Sequence, residues 1–236
     1  MRISIITLFP EMFSGVFDSS IVKRAVQRGK LEIHLINLRD FALDAYGSVD
    51  DHPYGGGTGM VLKVDVMDRA IQSARSGSEK GKTERVILLT PQGTPYVQKK
   101  ARTLCRYTHL ILLCGHYEGV DERIRSLVDE EISIGDYILT GGEIPAMVLT
   151  DSVARLLPGV LIKEDATVKE SFESGILEYP HYTRPEVYRD QRVPAILLSG
   201  NHAKIETWKA KEAITRTKKR RPDLLRVQKG RLSRGR

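Results

Sequence analysis

Cysteine is scarce: Cys105 and Cys114 are the only two in 236 residues, and they are neither numerous nor spaced for a disulfide framework or a tetrahedral metal site. That scarcity points to a reducing cytoplasm. No apolar run approaches the roughly 18 residues that cross a bilayer, so a membrane span is excluded. The opening MRISIITLFP reaches Pro10 and Glu11 too early for a signal peptide and lacks a small-residue cleavage site. It reads as a first buried strand. The six histidines form no metal-ligand pattern, so the sequence supports no metal site. Internal repeats and low-complexity tracts are absent too.

Charge is present, and unevenly placed. The formal balance of +7 hides a tail, residues 201–236, with 13 Lys+Arg against Glu206, Glu212 and Asp223. The preceding 200 residues hold 24 basic and 27 acidic groups. Such asymmetry points to a polyanionic partner, nucleic acid first and an anionic membrane second. Ile205, Trp208, Ala213 and Ile214 are spaced for a thin apolar helical face ending at Arg221-Pro222, so the basic segment is expected to fold.

Strand-like runs alternate with helical patterns through the first two-thirds. Strands are expected at Ile3–Phe9, Leu31–Leu38, Val86–Leu89, Leu110–Cys114 and Glu131–Ile134. Helices are expected around Met12–Val26, Val64–Arg75, Val97–Cys105, Val120–Leu127 and Ile144–Leu157. This alternation predicts an α/β fold with a mostly parallel sheet. Residues 161–174 lack periodicity and read as an interdomain linker. They would separate a large domain, 1–160, from a small, mainly helical C-terminal domain, 175–236.

SGSEKGKT (76–83) imitates a phosphate-binding loop, but its glycines are one residue too close and a helix precedes it, so it reads as an exposed connection. GGGTG (55–59) lacks the third glycine of a dinucleotide fingerprint and sits in a long loop, 40–59, a length that is usually functional when ordered. The stronger signal is a set of three. TPQG (90–93), CGHYEG (114–119) and SIGDYILTGGEIP (133–145) each follow a strand, at the carboxyl ends where open α/β sheets bind ligands. Together they predict one pocket lined largely by backbone.

These segments, with LFPEMF, VDDHPYGGGTGM, DSVARLLPGV, EYPHYTRPEV and LLSGNHAKI, resemble the bacterial tRNA (guanine-N1)-methyltransferase family over nearly the whole chain. The resemblance implies a SPOUT-type α/β domain with a deep trefoil knot. It implies an obligate homodimer with active sites at the subunit interface, S-adenosylmethionine as cofactor, and guanosine 37 of tRNA as target. It assigns the cofactor pocket to Leu88, Leu89, Thr90, Pro91, Gly115, Tyr117, Glu118, Gly119, Ser133, Ile134, Gly135, Asp136, Tyr137, Ile138, Leu139, Gly141, Gly142 and Pro145. It also implies a Mg²⁺ ion whose site the sequence does not locate. Arg155 matches the family's essential arginine.

Guanine N1 must lose a proton before it attacks, so a general base is needed, together with a cation for the charge developing on O6. An arginine suits the second task because it stays protonated and offers a fork of donors. The family usually places Asp before the Ser-Phe of the linker, whereas here Glu170 precedes Ser171-Phe172. Glu170 is therefore the expected base, with Asp165 as its alternative. Tyr46 stands where the family often has His. Contacts to tRNA are expected from Asp50 and from Lys204, Lys209, Lys211, Arg216, Lys218 and Lys219. Three other readings compete: a nucleotide-dependent oxidoreductase, which lacks its glycine fingerprint; a non-catalytic RNA-binding protein; and a SPOUT enzyme methylating ribose or another guanosine.

Overall fold

The computed structural model describes residues 1–75, 83–162, 167 and 169–225. Most of the phosphate-loop mimic (76–82), the alternative base Asp165 and the end of the basic tail (226–236) lie outside the described residues. The chain divides into two compact units, Met1–Glu164 and Asp165–Arg236.

The first unit is built on a five-stranded sheet. Its strands are β1 (Arg2–Thr7), β2 (Glu32–Asn37), β5 (Glu84–Pro95), β6 (His109–Cys114) and β7 (Glu130–Ser133). They run in the order β2-β1-β6-β5-β7, and every pairing is parallel. A parallel sheet needs cover on both faces, and the central strands are accordingly near-continuous apolar runs. Successive residues then serve opposite cores. Ile3, Ile5, Leu110 and Leu112 pack with one cluster, which includes Phe13, Leu104, Leu149 and Val153. Ile6, Ile111 and Leu113 pack with the other, around Met67 and Ile71. The helices supplying these covers are α2 (Ser20–Gln27), α4 (Gln98–Leu104) and α5 (Glu143–Ala154) on the first face, and α3 (Val64–Arg75) on the second. Edge strand β2 keeps Glu32 and His34 in solvent, paired at 2.6 Å, but Leu35 is exposed as well, while Ile33 and Ile36 are half-buried against opposite cores.

Several local expectations change. The run from Met12 to Val26 is not one helix but a 3-10 turn (Pro10–Phe13), a short α1 (Ser14–Phe17) and α2, broken where Ser20 takes φ 51°. The break resets the helical phase, so Phe13, Phe17, Val22 and Ala25 are buried while Met12, Val16 and Val26 are exposed. Val120–Leu127 forms only a 3-10 turn at Glu122–Leu127, capped by the Asp121 carboxylate accepting from Arg123 N at 2.9 Å. Loop 40–59 contains a two-residue strand β3 (Asp50–Asp51), antiparallel to β4 (Val61–Leu62). Strand β5 is longer than expected because residues 90–93 bulge out and the chain rejoins β7, with both Leu89 and Thr94 opposite Ile132.

In the second unit the dominant element is α7 (His202–Arg220), preceded by a β8 (Val187–Tyr188)/β9 (Gln191–Arg192) hairpin and a short α6 (Ala195–Leu198). Asn201 caps α7 by accepting from Lys204 N at 3.1 Å. The buried stripe of α7 is Ala213 and Thr217, with Ile205 and Trp208 half-buried. Ile214, expected on this face, is exposed, because Thr217 supplies the fourth inward position. Its hydroxyl donates to Ala213 O at 2.7 Å and accepts from Leu177 N at 2.9 Å, so a polar side chain is satisfied inside. Residues 169–175 are a series of turns. Phe172 N donates to Ile176 O at 2.8 Å, Ser171 Oγ accepts from Glu178 N at 3.1 Å, and Arg221 stands over the Phe172 ring.

Candidate active site

At the carboxyl ends of β5, β6 and β7, three loops enclose a cavity of about 500 Å³. Leu88, Leu89, Thr90 and Pro91 form one wall as β5 leaves the sheet; Gly115, Tyr117, Glu118 and Gly119 form the next after β6. Ser133, Ile134, Gly135, Tyr137, Ile138, Leu139, Gly141, Gly142 and Pro145 complete it between β7 and the first turn of α5. Of the cofactor residues that the family resemblance implies, Asp136 alone is not in the lining. Gln92, His116, Val120, Glu122, Arg125, Ile132 and Thr140 line it as well. Gln92 and His116 lie inside the motifs already singled out. Glu122 and Arg125 arrive through the 3-10 turn that replaces the expected Val120–Leu127 helix.

The loops are held close by backbone. After β7 the chain crosses back onto the loop following β6: Gly142 N donates to Gly115 O at 2.8 Å, and His116 bridges Gly141 antiparallel. A Cβ on Gly142 would stand 2.5 Å from Cys114 Cα, which is why glycine occupies this crossing. Tyr117 takes φ 60°, an uncommon conformation for a residue with a side chain. The ring of His116 lies 5.1 Å from Phe9 and 4.9 Å from Tyr117, and its buried Nδ1 has no hydrogen-bond partner among the described residues. Behind the cavity Glu143 is almost wholly buried and accepts from Thr7 Oγ1 at 2.7 Å. Burial, reinforced by Glu143, pushes the Cys114 thiol well up, which disfavours the thiolate.

None of the remaining expected residues is in the lining. Arg155 caps the carboxyl end of α5, whose first turn carries Pro145, so ten helical residues set its backbone roughly 15 Å from that part of the cavity. Glu170 belongs to the second unit, in the turn before Phe172, and is half-buried. Asp50 pairs with Leu62 in the small β3–β4 ladder. On α7, Lys209 is already engaged: Glu206 binds it at 2.9 Å and Tyr179 lies beneath it at 4.9 Å. Lys209 and Lys169 together hold Glu206 down at about 2. Lys204 and Lys211 have no ion-pair partner among the described residues; Lys218 and Lys219 are exposed and Arg216 half-buried. No group of three or more His, Cys, Asp or Glu among the described residues could hold a metal ion. No helix among them is long and apolar enough to cross a membrane.

Comparison with known proteins agrees with this geometry. A family model described as tRNA (guanine-1)-methyltransferase TrmD matches residues 1–227. Among curated relatives named tRNA (guanine-N(1)-)-methyltransferase, that of Geobacillus kaustophilus is 58% identical over 226 residues, 95% of this chain and 91% of its own. That of Brevibacillus brevis is 56% identical over the same length and the same shares, and that of Syntrophomonas wolfei is 53% identical over 225 residues, 95% and 90%. A chain matched by the family model over nearly its whole length, and by relatives at this level of identity, belongs to the tRNA (guanine-1)-methyltransferase family.

Proposed function

We propose that this enzyme transfers a methyl group from S-adenosylmethionine to N1 of guanosine 37 in tRNA, with Glu170 as general base and Arg155 stabilising charge on O6. The observation that carries the reading is the cavity formed by the three strand-end loops. Its volume of about 500 Å³ suits a ligand of nucleoside size. Glycines at its crossing let backbone N–H and C=O groups approach a ligand, and the unpartnered Nδ1 of His116 leaves one buried polar atom to be satisfied. When bound there, S-adenosylmethionine supplies an electrophilic methyl on sulfur. The crossing of 134–142 over the loop after β6 is the segment we assign to the trefoil knot.

The protein's share of the chemistry is protonic and electrostatic. Glu170 takes the N1 proton of the guanine, leaving the lone pair free to attack. As electrons shift toward O6, the Arg155 guanidinium donates to that oxygen and stabilises it. The roughly 15 Å between Arg155 and the cavity's α5 wall supports a homodimer in which Arg155 serves the cavity of the other subunit. Exposed Met12 on the 3-10 turn packed beside α5, with Ile144 and Val148 on α5 itself, offers an apolar surface for that association. The basic face of α7 and loop 40–59, with Tyr46 and Tyr54 fully exposed, are assigned to tRNA. No step is assigned to Mg²⁺, for which the described residues offer no ligand cluster.

The deciding experiment is mass spectrometry of tRNA incubated with protein and S-adenosylmethionine, mapping the methylated atom and position. Glu170→Gln is expected to bind cofactor normally and to transfer no methyl group; a fully active Gln variant rules out the base assignment.

A further inference from the structure

Arg125 ties together three separately coded parts of the cavity wall. Its Nε donates to Glu122 Oε2 at 3.0 Å on its own 3-10 turn, and its Nη1 donates to Glu131 Oε1 at 2.9 Å on β7. Its Nη2 donates to Oε1 of Gln92, in the loop that bulges from β5. Gln92, Glu122 and Arg125 all line the cavity, and the Arg125 side chain is 31% exposed. Nothing in the β5 or β7 sequence announces this junction, because residues 92, 125 and 131 meet only once the strand order is set.

The chemistry of the junction settles which way the Gln92 amide points. A guanidinium has five donors and no acceptor, so the Gln92 atom facing it must be the carbonyl oxygen, whatever amide orientation is written into coordinates. The NH₂ group is then the end of the amide not taken by Arg125, on a residue that lines the cavity. We propose that Arg125 is a positioning residue that holds Gln92 with its NH₂ presented to the bound methyl donor, so that Gln92 donates to an acceptor atom of that ligand. This rests on the cavity being the S-adenosylmethionine site. Two shared carboxylates and the planar fork explain why arginine is required: a lysine ammonium is a compact point charge and does not hold Glu131 and the Gln92 carbonyl in one plane.

Variants at the two residues, alone and combined, separate the positioning from general stability. Gln92→Glu keeps, as an ion pair, the contact with Arg125 but replaces the donor by an acceptor. Arg125→Ala releases the amide. Arg125→Lys keeps the charge without the fork. Binding is measured by calorimetric titration with S-adenosylhomocysteine, the demethylated product, and with S-adenosylmethionine, alongside the thermal midpoint of each variant.

Gln92→Glu is expected to keep the wild-type thermal midpoint and to weaken both ligands about tenfold, the scale of one lost hydrogen bond. Arg125→Ala and Arg125→Lys are expected to weaken both as well, and Arg125→Ala to add no further loss on a Gln92→Ala background. Gln92→Glu that binds the product as tightly as wild type overturns the donor role. So does a Gln92→Glu that tightens S-adenosylmethionine alone, since that would be simple attraction of the added charge for the sulfonium. Additive losses in the double variant overturn the positioning by Arg125. Wild-type protein that binds neither ligand would instead sink the cofactor reading itself, which keeps the two failures apart.

Discussion

The hydroxyl of Thr7, the last residue of β1, donates to the carboxyl oxygen of Glu143, the first residue of α5, at 2.7 Å, and both side chains are buried. The same hydroxyl accepts from Phe9 N at 3.0 Å, so its donor and one acceptor site are used. An acidic residue in the first turn also suits the helix dipole. The pair therefore fixes the start of the helix that closes the cavity to a central strand 136 residues away in sequence. Thr7→Val preserves shape and removes both the donor to Glu143 and the acceptor of Phe9 N. The expected cost is about 1–3 kcal/mol in urea unfolding, with Thr7→Ser close to wild type. Affinity for S-adenosylhomocysteine should fall with it, because Gly142 and Pro145 on either side of Glu143 line the cavity.

Two glycines of the cavity should respond oppositely to a methyl group. At Gly142 an added Cβ meets the backbone of Cys114 and Gly115 at 2.5 and 2.9 Å, and backbone in a parallel sheet does not yield. At Gly115 the nearest atoms, Leu89 O and a Val120 methyl, are 3.6 Å away. Gly142→Ala is expected to destabilise by about 1–3 kcal/mol through overpacking. Gly115→Ala should keep the thermal midpoint. Equal midpoints for the two variants would remove the close crossing as the reason for Gly142.

Both glycines stand in motifs that the sequence flagged, yet only the fold distinguishes them. The parallel sheet was legible because the unbroken apolar runs Val86–Leu89 and Leu110–Cys114 alternate with helical patterns, and the strand-end loops because their glycines and prolines follow those runs. What could not be read depends on neighbours distant in sequence. Ser20 breaks a helix that the 3.6-residue period alone would continue, and Thr217 takes an inward place on α7 because Leu177 N needs an acceptor. Arg125 meets Glu131 and Gln92 only because β5, β7 and the 3-10 turn stand side by side. Glu170 and Arg155 came from family resemblance, and neither spacing nor periodicity would have selected them.

The lysines of α7 should not contribute equally to tRNA binding. Lys204 and Lys211 lie seven residues apart, on one helical face, and have no ion-pair partner among the described residues. Lys209 is matched by Glu206. Each phosphate contact releases a counterion, so Lys204→Ala and Lys211→Ala should each lower the slope of log K against log salt by about 1. Lys209→Ala should change it clearly less. Filter binding of tRNA between low and moderate salt reads these slopes, and three equal slopes would mean that Glu206 leaves Lys209 free to act on phosphate.

Arg155 offers the sharpest test of the proposed assembly, because its position on α5 makes a definite prediction about which chain it serves. Its backbone is roughly 15 Å from the α5 wall of its own cavity, farther than an arginine side chain reaches. Arg155→Ala should bind cofactor and transfer no methyl group. Gly115→Leu, which adds a bulky side chain to the cavity wall, should bind no cofactor while keeping its arginine. Co-expressed with two different tags and purified as mixed dimers, the pair should regain methyl transfer: one of the two sites then combines an intact cavity with the arginine of the other subunit. If the arginine served its own chain, every site in the mixture would carry one lesion and activity would stay absent. Recovery therefore establishes a shared site, and silence in well-folded mixed dimers excludes it.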